Sequence, residues 1–142
     1  MSVQNHNRHD MALKQLQTAL SLYFSATDDY SVIILAASAD DIFGQLLTAN
    51  GQESSLETIK QSVVAIHELL HGTEITPSSV AYRANFARNS LKHWSADQSL
   101  VVSFDAHEEA KDMLNRAIDN YWTLTELFSP AMERFQREIM QT

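Results

Sequence analysis

Val32-Ile33-Ile34-Leu35-Ala36-Ala37-Ser38-Ala39 is apolar on nearly every side of a helix, and the chain around it is helical in pattern. A helix on a protein surface carries one apolar stripe, whereas a helix without a polar face needs neighbours on several sides. The stretch therefore predicts a central helix, from about Asp29 to Ala49, with the other elements packed round it. It is far shorter than the roughly 20 residues that span a bilayer, so a soluble protein is expected. Thr27-Asp28-Asp29 supplies a cap and negative charge at its start, and Asn50-Gly51 a C-cap at its end. Gly44 inside it costs about 1 kcal/mol against alanine, which predicts a close helix crossing. Asp40 and Asp41 follow directly on the apolar run and stand out there as carboxylates.

Outward from this centre, the same periodicity gives an all-α fold of five to six helices in an antiparallel bundle. The first helix is expected from about Arg8 to Ser25, with Leu13, Leu16, Leu20, Tyr23 and Phe24 as its stripe. Residues 1–8 are polar and expected to be disordered. Ser54-Ser55-Leu56-Glu57 is a capping box that opens a third helix, with Leu56, Ile59, Val63, Ile66 and Leu70 on one face, expected to be core. Thr76-Pro77 opens a fourth, expected to run on to about Trp94. The β-branched stretch at 100–104 suits an extended segment better than a helix. A long helix follows from Asp105, its buried face built on Ala106, Ala110, Met113, Ala117, Tyr121, Leu124 and Phe128. Ser129-Pro130 restarts the chain as a short last helix to about Met140.

The 142 residues suit one domain with one core. Without cysteine there is neither a disulfide framework nor thiolate metal ligation, which fits a reducing cytoplasm. The polar start lacks the apolar run of a signal peptide. A net charge of −8 argues against broad, non-specific binding to nucleic acid, which rests on excess lysine and arginine. Any nucleic-acid contact must be local. One place offers it: from residue 75 to 96 the chain carries Arg83, Arg88 and Lys92 and no acidic residue.

Two constellations compete for chemistry. His67-Glu68-Leu69-Leu70-His71 matches H-E-x-x-H, in which two histidines one turn apart share a Zn²⁺ and the glutamate activates its water. A catalytic zinc needs a third protein ligand, and the extended motif is missing, with Glu74 at its glycine and Pro77 at its histidine. His67 and His71 are therefore subordinate metal candidates, and no metal or other cofactor is expected. His71 is equally well placed as a last-turn cation on the helix dipole.

The second is Arg88-Asn89-Ser90-Leu91-Lys92-His93: a permanent cation, an amide and a proton carrier near neutral pH within six residues. Cleavage of RNA by its own 2′-hydroxyl needs a base and a fixed positive charge where negative charge develops, and His93 and Arg88 are one of each. Asn89 lies one turn before His93 on the same helical face. Arg88 and His93 lie five apart, about 140° round an ideal helix, so one straight helix cannot aim both at one atom. Either the helix loosens at Lys92 or two copies meet.

The pattern R-x4-6-H with a polar residue after the arginine, late in a helix of a small helical chain, resembles the HEPN superfamily (higher eukaryotes and prokaryotes nucleotide-binding). The order of parts is similar too: an acidic spot on the N-terminal helix pair, here Asp40 or Asp41, then the motif, then a long closing helix. Where the toxin branch commonly has a tyrosine two residues after the histidine, this chain has Ser95. The resemblance implies a metal-independent endoribonuclease or RNA-binding effector that is a homodimer. Arg88 and His93 would be catalytic, with Asn89, Asp41 and Lys92 supporting, and an antitoxin-like protein as a partner. The alternative is a non-catalytic module of the same scaffold that binds a nucleotide or a partner.

Overall fold

The computed structural model describes residues 2–141. Its centre is the helix foreseen from the apolar run, Asp29–Ala49, here α2. It packs most extensively against α1 (Arg8–Ser25) and α6 (Ala106–Thr125). Val32, Ile33, Ala36, Ala37 and Ala39 are fully buried there. On length and composition alone α2 could cross a membrane; 44% of that stretch is buried inside the fold. α7 (Pro130–Met140) closes the core with Met132 and Phe135. At Gly44 an added Cβ would lie 3.6 Å from both Asn120 Nδ2 and Ser54 Cβ, so α2 does cross its neighbours closely there, at ordinary contact distance.

The other helices are α3 (Ser55–His71), α4 (Pro77–Ala84) and α5 (Phe86–Lys92). The described residues thus form seven helices and no strand, rather than five to six helices. The extra one arises because the helix expected from Thr76 to Trp94 breaks at Asn85. Nη1 of Arg116 on α6 donates to the Ala84 carbonyl at 3.2 Å and to Asn85 Oδ1 at 2.8 Å. Those contacts hold the chain to α6 at the break. Segment 100–104 is neither helix nor strand; Leu100 and Val101 are exposed, and only Phe104 packs on the core.

Most helix starts are set by the residues that the sequence marks as caps. Asp28, Ser54, Thr76, Asp105 and Ser129 each accept a hydrogen bond from a backbone N–H in the first turn. Asn7 does the same for α1, which begins at Arg8, so the last two of residues 1–8 belong to a helix start and not to the disorder expected there. Met1 lies outside the described residues.

The third helix overturns one expectation. Its apolar face was expected to be core, yet α3 has no buried residue. Leu56 and Ile59 are half-buried, but Ile66, Leu69 and Leu70 are exposed, Leu69 by 86% and Leu70 by 71%. The reason is placement: α3 packs on α4 and touches α6 only lightly, so the second half of its stripe overhangs the core. Leu69→Ser and Leu70→Ser should therefore change unfolding free energy by less than about 0.5 kcal/mol, the range for exposed sites. Leu16→Ala, at a fully buried site of α1, should cost about 2–5 kcal/mol. Urea unfolding followed by circular dichroism measures both, and a large loss at Leu70 would mean that its face is covered.

Candidate functional site

The acidic pair on α2 divides between two arginines. Asp40 turns inward, where Oδ2 accepts from Arg116 Nη2 at 2.8 Å and Oδ1 from Asn120 Nδ2 at 3.0 Å. Asn120 in turn accepts from the Ser55 backbone N–H at 2.7 Å, at the start of α3. All three side chains are buried. Burial pushes the Asp40 carboxyl up from its ordinary range, against the pull of Arg116. One polar cluster thus ties α2 and α6 to the start of α3 and to the α4–α5 break.

Asp41 turns toward the motif. Its two oxygens accept from Arg88 Nη1 at 2.6 Å and Nη2 at 2.5 Å, a bidentate pair in which the Arg88 side chain is only 12% exposed. Hydrogen bonding to Asp41 pushes the Arg88 pKa further up despite burial, so the guanidinium stays charged at every working pH. Arg88 Nε is buried and has no hydrogen-bond partner among the described residues. Ala87 and Leu91 seat α5 beside Arg88, Ala87 buried and Leu91 packed on the edge of the core.

After Lys92 the helix ends, and His93 takes an extended conformation with φ −134° and ψ 135°. This is the loosening that five-residue spacing required. It does not bring His93 to Arg88 in one cavity. His93, Asn89, Ser90, Tyr82, Phe86 and Trp94 line a groove of about 270 Å³, and Arg88 is not part of its lining. The His93 ring is exposed and makes no hydrogen bond among the described residues. Asn89 shares the groove, but its link to His93 is through the backbone, with the His93 N–H donating to the Asn89 carbonyl at 2.9 Å. Lys92 is exposed in the last turn of α5. Tyr82 is 64% exposed and so is not core.

A larger cavity of about 370 Å³ lies between α3, α4 and α6. Its wall sets Glu109 and Asp112 against Arg83 and Arg116, so its charges offset one another, and it holds no histidine. The groove at His93 is the better candidate for phosphate chemistry.

No family model, no curated protein and no solved structure matches this chain. Its chemistry must be judged from the residues themselves. The histidines of His67-Glu68-x-x-His71 do approach one another, with ring centroids 4.8 Å apart, but His67 Nε2 lies 3.2 Å from Thr73 Oγ1. Among the described residues no third histidine, aspartate or glutamate stands with them as a ligand.

Sequence reasoning missed Arg116 and Asn120; of the groove lining it named Asn89 and His93 as site residues. A signal for the first two was present. Both fall at buried positions of the α6 stripe, between Met113, Ala117 and Tyr121, where a charged residue must have a partner. Removing one member of that buried pair, as in Asp40→Ala, should cost about 3–5 kcal/mol by denaturant titration, because Arg116 is left charged and alone. Asp41→Ala, half exposed to water, should cost no more than about 2 kcal/mol. Metal analysis of the purified protein should find no stoichiometric zinc; about one zinc per chain, lost in His67→Ala or His71→Ala, would reinstate the H-E-x-x-H reading.

Proposed function

We propose that this chain is a HEPN-type helical-bundle protein that binds single-stranded RNA and cleaves it without a metal, as a homodimer bringing two Arg88–His93 segments to one cleft. The observation that carries the reading is the division of labour on α5. Asp41 holds Arg88 as a fixed cation, while the His93 ring is exposed and unbonded at a groove wall. Histidine suits proton transfer near neutral pH, and a held guanidinium suits charge stabilisation without reorganisation. In the proposed step His93 takes the proton of the ribose 2′-hydroxyl. The 2′-oxygen bonds to phosphorus as the bond from phosphorus to the 5′-oxygen breaks, the 5′-oxygen leaves with a proton taken from water, and Arg88 offsets the charge that builds on the phosphate oxygens. Asn89 supports from the same groove and Lys92 from its edge. Because one chain does not place Arg88 and His93 in one cavity, the second copy supplies the missing partner. The setting proposed is the cytoplasm, with an antitoxin-like protein as regulator.

A second reading has an observation of its own. Both terminal nitrogens of Arg88 are engaged by Asp41, so a phosphate must share or displace that carboxylate. That favours a module which binds RNA or a nucleotide and does not cleave.

The test is cleavage of single-stranded RNA in the presence of chelator, with the rate expected to be unchanged by it. His93→Ala removes an exposed ring, so it should leave the melting temperature unaltered and lower the rate ~100-fold or more. Arg88→Ala is a less clean variant than helix position alone suggests, because losing the pair should cost about 1–2 kcal/mol of stability. Arg88→Lys, which keeps the charge but not the bidentate geometry, should retain the fold and lose most of the rate. Light scattering should give twice the chain mass at micromolar concentration. Cleavage that survives His93→Ala rules this mechanism out, and RNA binding without cleavage leaves the second reading.

A further inference from the structure

We propose that the groove beside His93 is a stacking slot for one unpaired base of a single-stranded RNA, with Tyr82 and Trp94 as its platforms. The inference rests on the RNA reading above and names what that site holds. Tyr82 is 64% exposed and Trp94 58% exposed, on the same groove. Phe86 meets Tyr82 edge to face at 6.0 Å between ring centroids and braces it from the helix side. Exposed aromatic faces gain more by covering with another π-system than by staying wet, and bases stack on them whatever their sequence.

The remaining lining is mixed: Leu100 and Val102 add apolar surface, and the polar groups are of the kind a base edge requires. Asn89 and Gln98 bring amides, and Ser90 and Ser99 bring hydroxyls. Ser90 donates to the Phe86 carbonyl, Gln98 accepts from the Ser95 N–H, and Ser99 accepts from the Val101 N–H. The exposed Asn89 amide makes no side-chain hydrogen bond among the described residues, so its donor and its acceptor both remain for a ligand. An aliphatic partner helix would leave these amides unpaired on docking; a base satisfies them.

Charge points the same way. Residues 75–96, which build one wall of the groove, hold no acid in a chain of net charge −8; one acid, Asp97, follows in the turn to the other wall, where it accepts from Ser95 Oγ, and Lys92 is exposed beside His93. A backbone phosphate next to a stacked base would meet that cation, and the ribose of that nucleotide would meet the His93 ring. A base held in the slot would thereby fix which 2′-hydroxyl His93 reaches.

The experiment uses the full chain and an uncleavable 2′-O-methyl RNA of about ten nucleotides, so binding is read apart from cleavage. Trp122 stacks on Phe128 at 4.7 Å and lies outside the groove. In a Trp122→Phe background the remaining tryptophan signal therefore reports Trp94. Saturable quenching by the single strand and none by the matching duplex is the expected result. By fluorescence anisotropy of labelled RNA, Tyr82→Ala and Trp94→Ala should each bind ~10-fold more weakly with unchanged circular dichroism. Affinity within about 2-fold of wild type in both variants, or equal competition by the duplex, overturns the slot while leaving cleavage at Arg88 and His93 standing. Trp94-dependent binding in a protein that cleaves nothing upholds the slot and removes only the nuclease. No binding of single-stranded RNA overturns both.

Discussion

The contact on which the rest depends is the buried pair of Asp40 and Arg116, completed by Asn120. Taking two charges out of water costs several kcal/mol per ion, and a single ion pair seldom recovers it. Here the guanidinium also satisfies the Ala84 carbonyl and Asn85 Oδ1, and Asn120 also satisfies the Ser55 N–H. The return on that cost is positional. An apolar contact could have filled the same volume, but it could not fix where α3 begins and where the fourth helix breaks. The break in turn sets the direction of α5, and α5 carries Arg88.

The second arginine–aspartate pair differs in kind. Asp41 is half exposed, so its bond to Arg88 is open to competition from water and from a phosphate. Adjacent residues of one helix thus hold two pairs with unlike tasks, one closed for architecture and one within reach of a ligand. Successive residues of a helix point about 100° apart, which is why Asp40 can face α6 while Asp41 faces α5.

Much of the architecture was legible because it is written in local signals. The apolar run in α2, the caps at Asp28, Ser54, Thr76, Asp105 and Ser129, and the stripe of α6 all act within a turn or two of themselves. The break at Asn85 was not legible, since its cause lies 31 residues away on Arg116. Nor was the exposure of α3: periodicity shows that a helix has an apolar face, not that anything covers it. For the site, residue types and spacing named Arg88, Asn89 and His93, and the family resemblance pointed to Asp40 or Asp41. Only the folded chain shows that Asp41 reaches Arg88 and that His93 opens onto Tyr82 and Trp94. The aromatic residues carried no motif, and their grouping depends on a turn in the chain after Lys92.

The sparse anchoring of α3 has a consequence for how the protein opens. With no buried side chain of its own, α3 is joined to the core by partial burial, its packing on α4 and the Asn120 bond at its first residue. Amide protons there should exchange with solvent through a local opening well below the global unfolding free energy, whereas those of α2 and α6 should wait for the whole molecule. Because the α4–α5 junction hangs on the same buried cluster, an opening that starts at residue 55 and reaches Arg116 also loosens the base of the helix that aims Arg88.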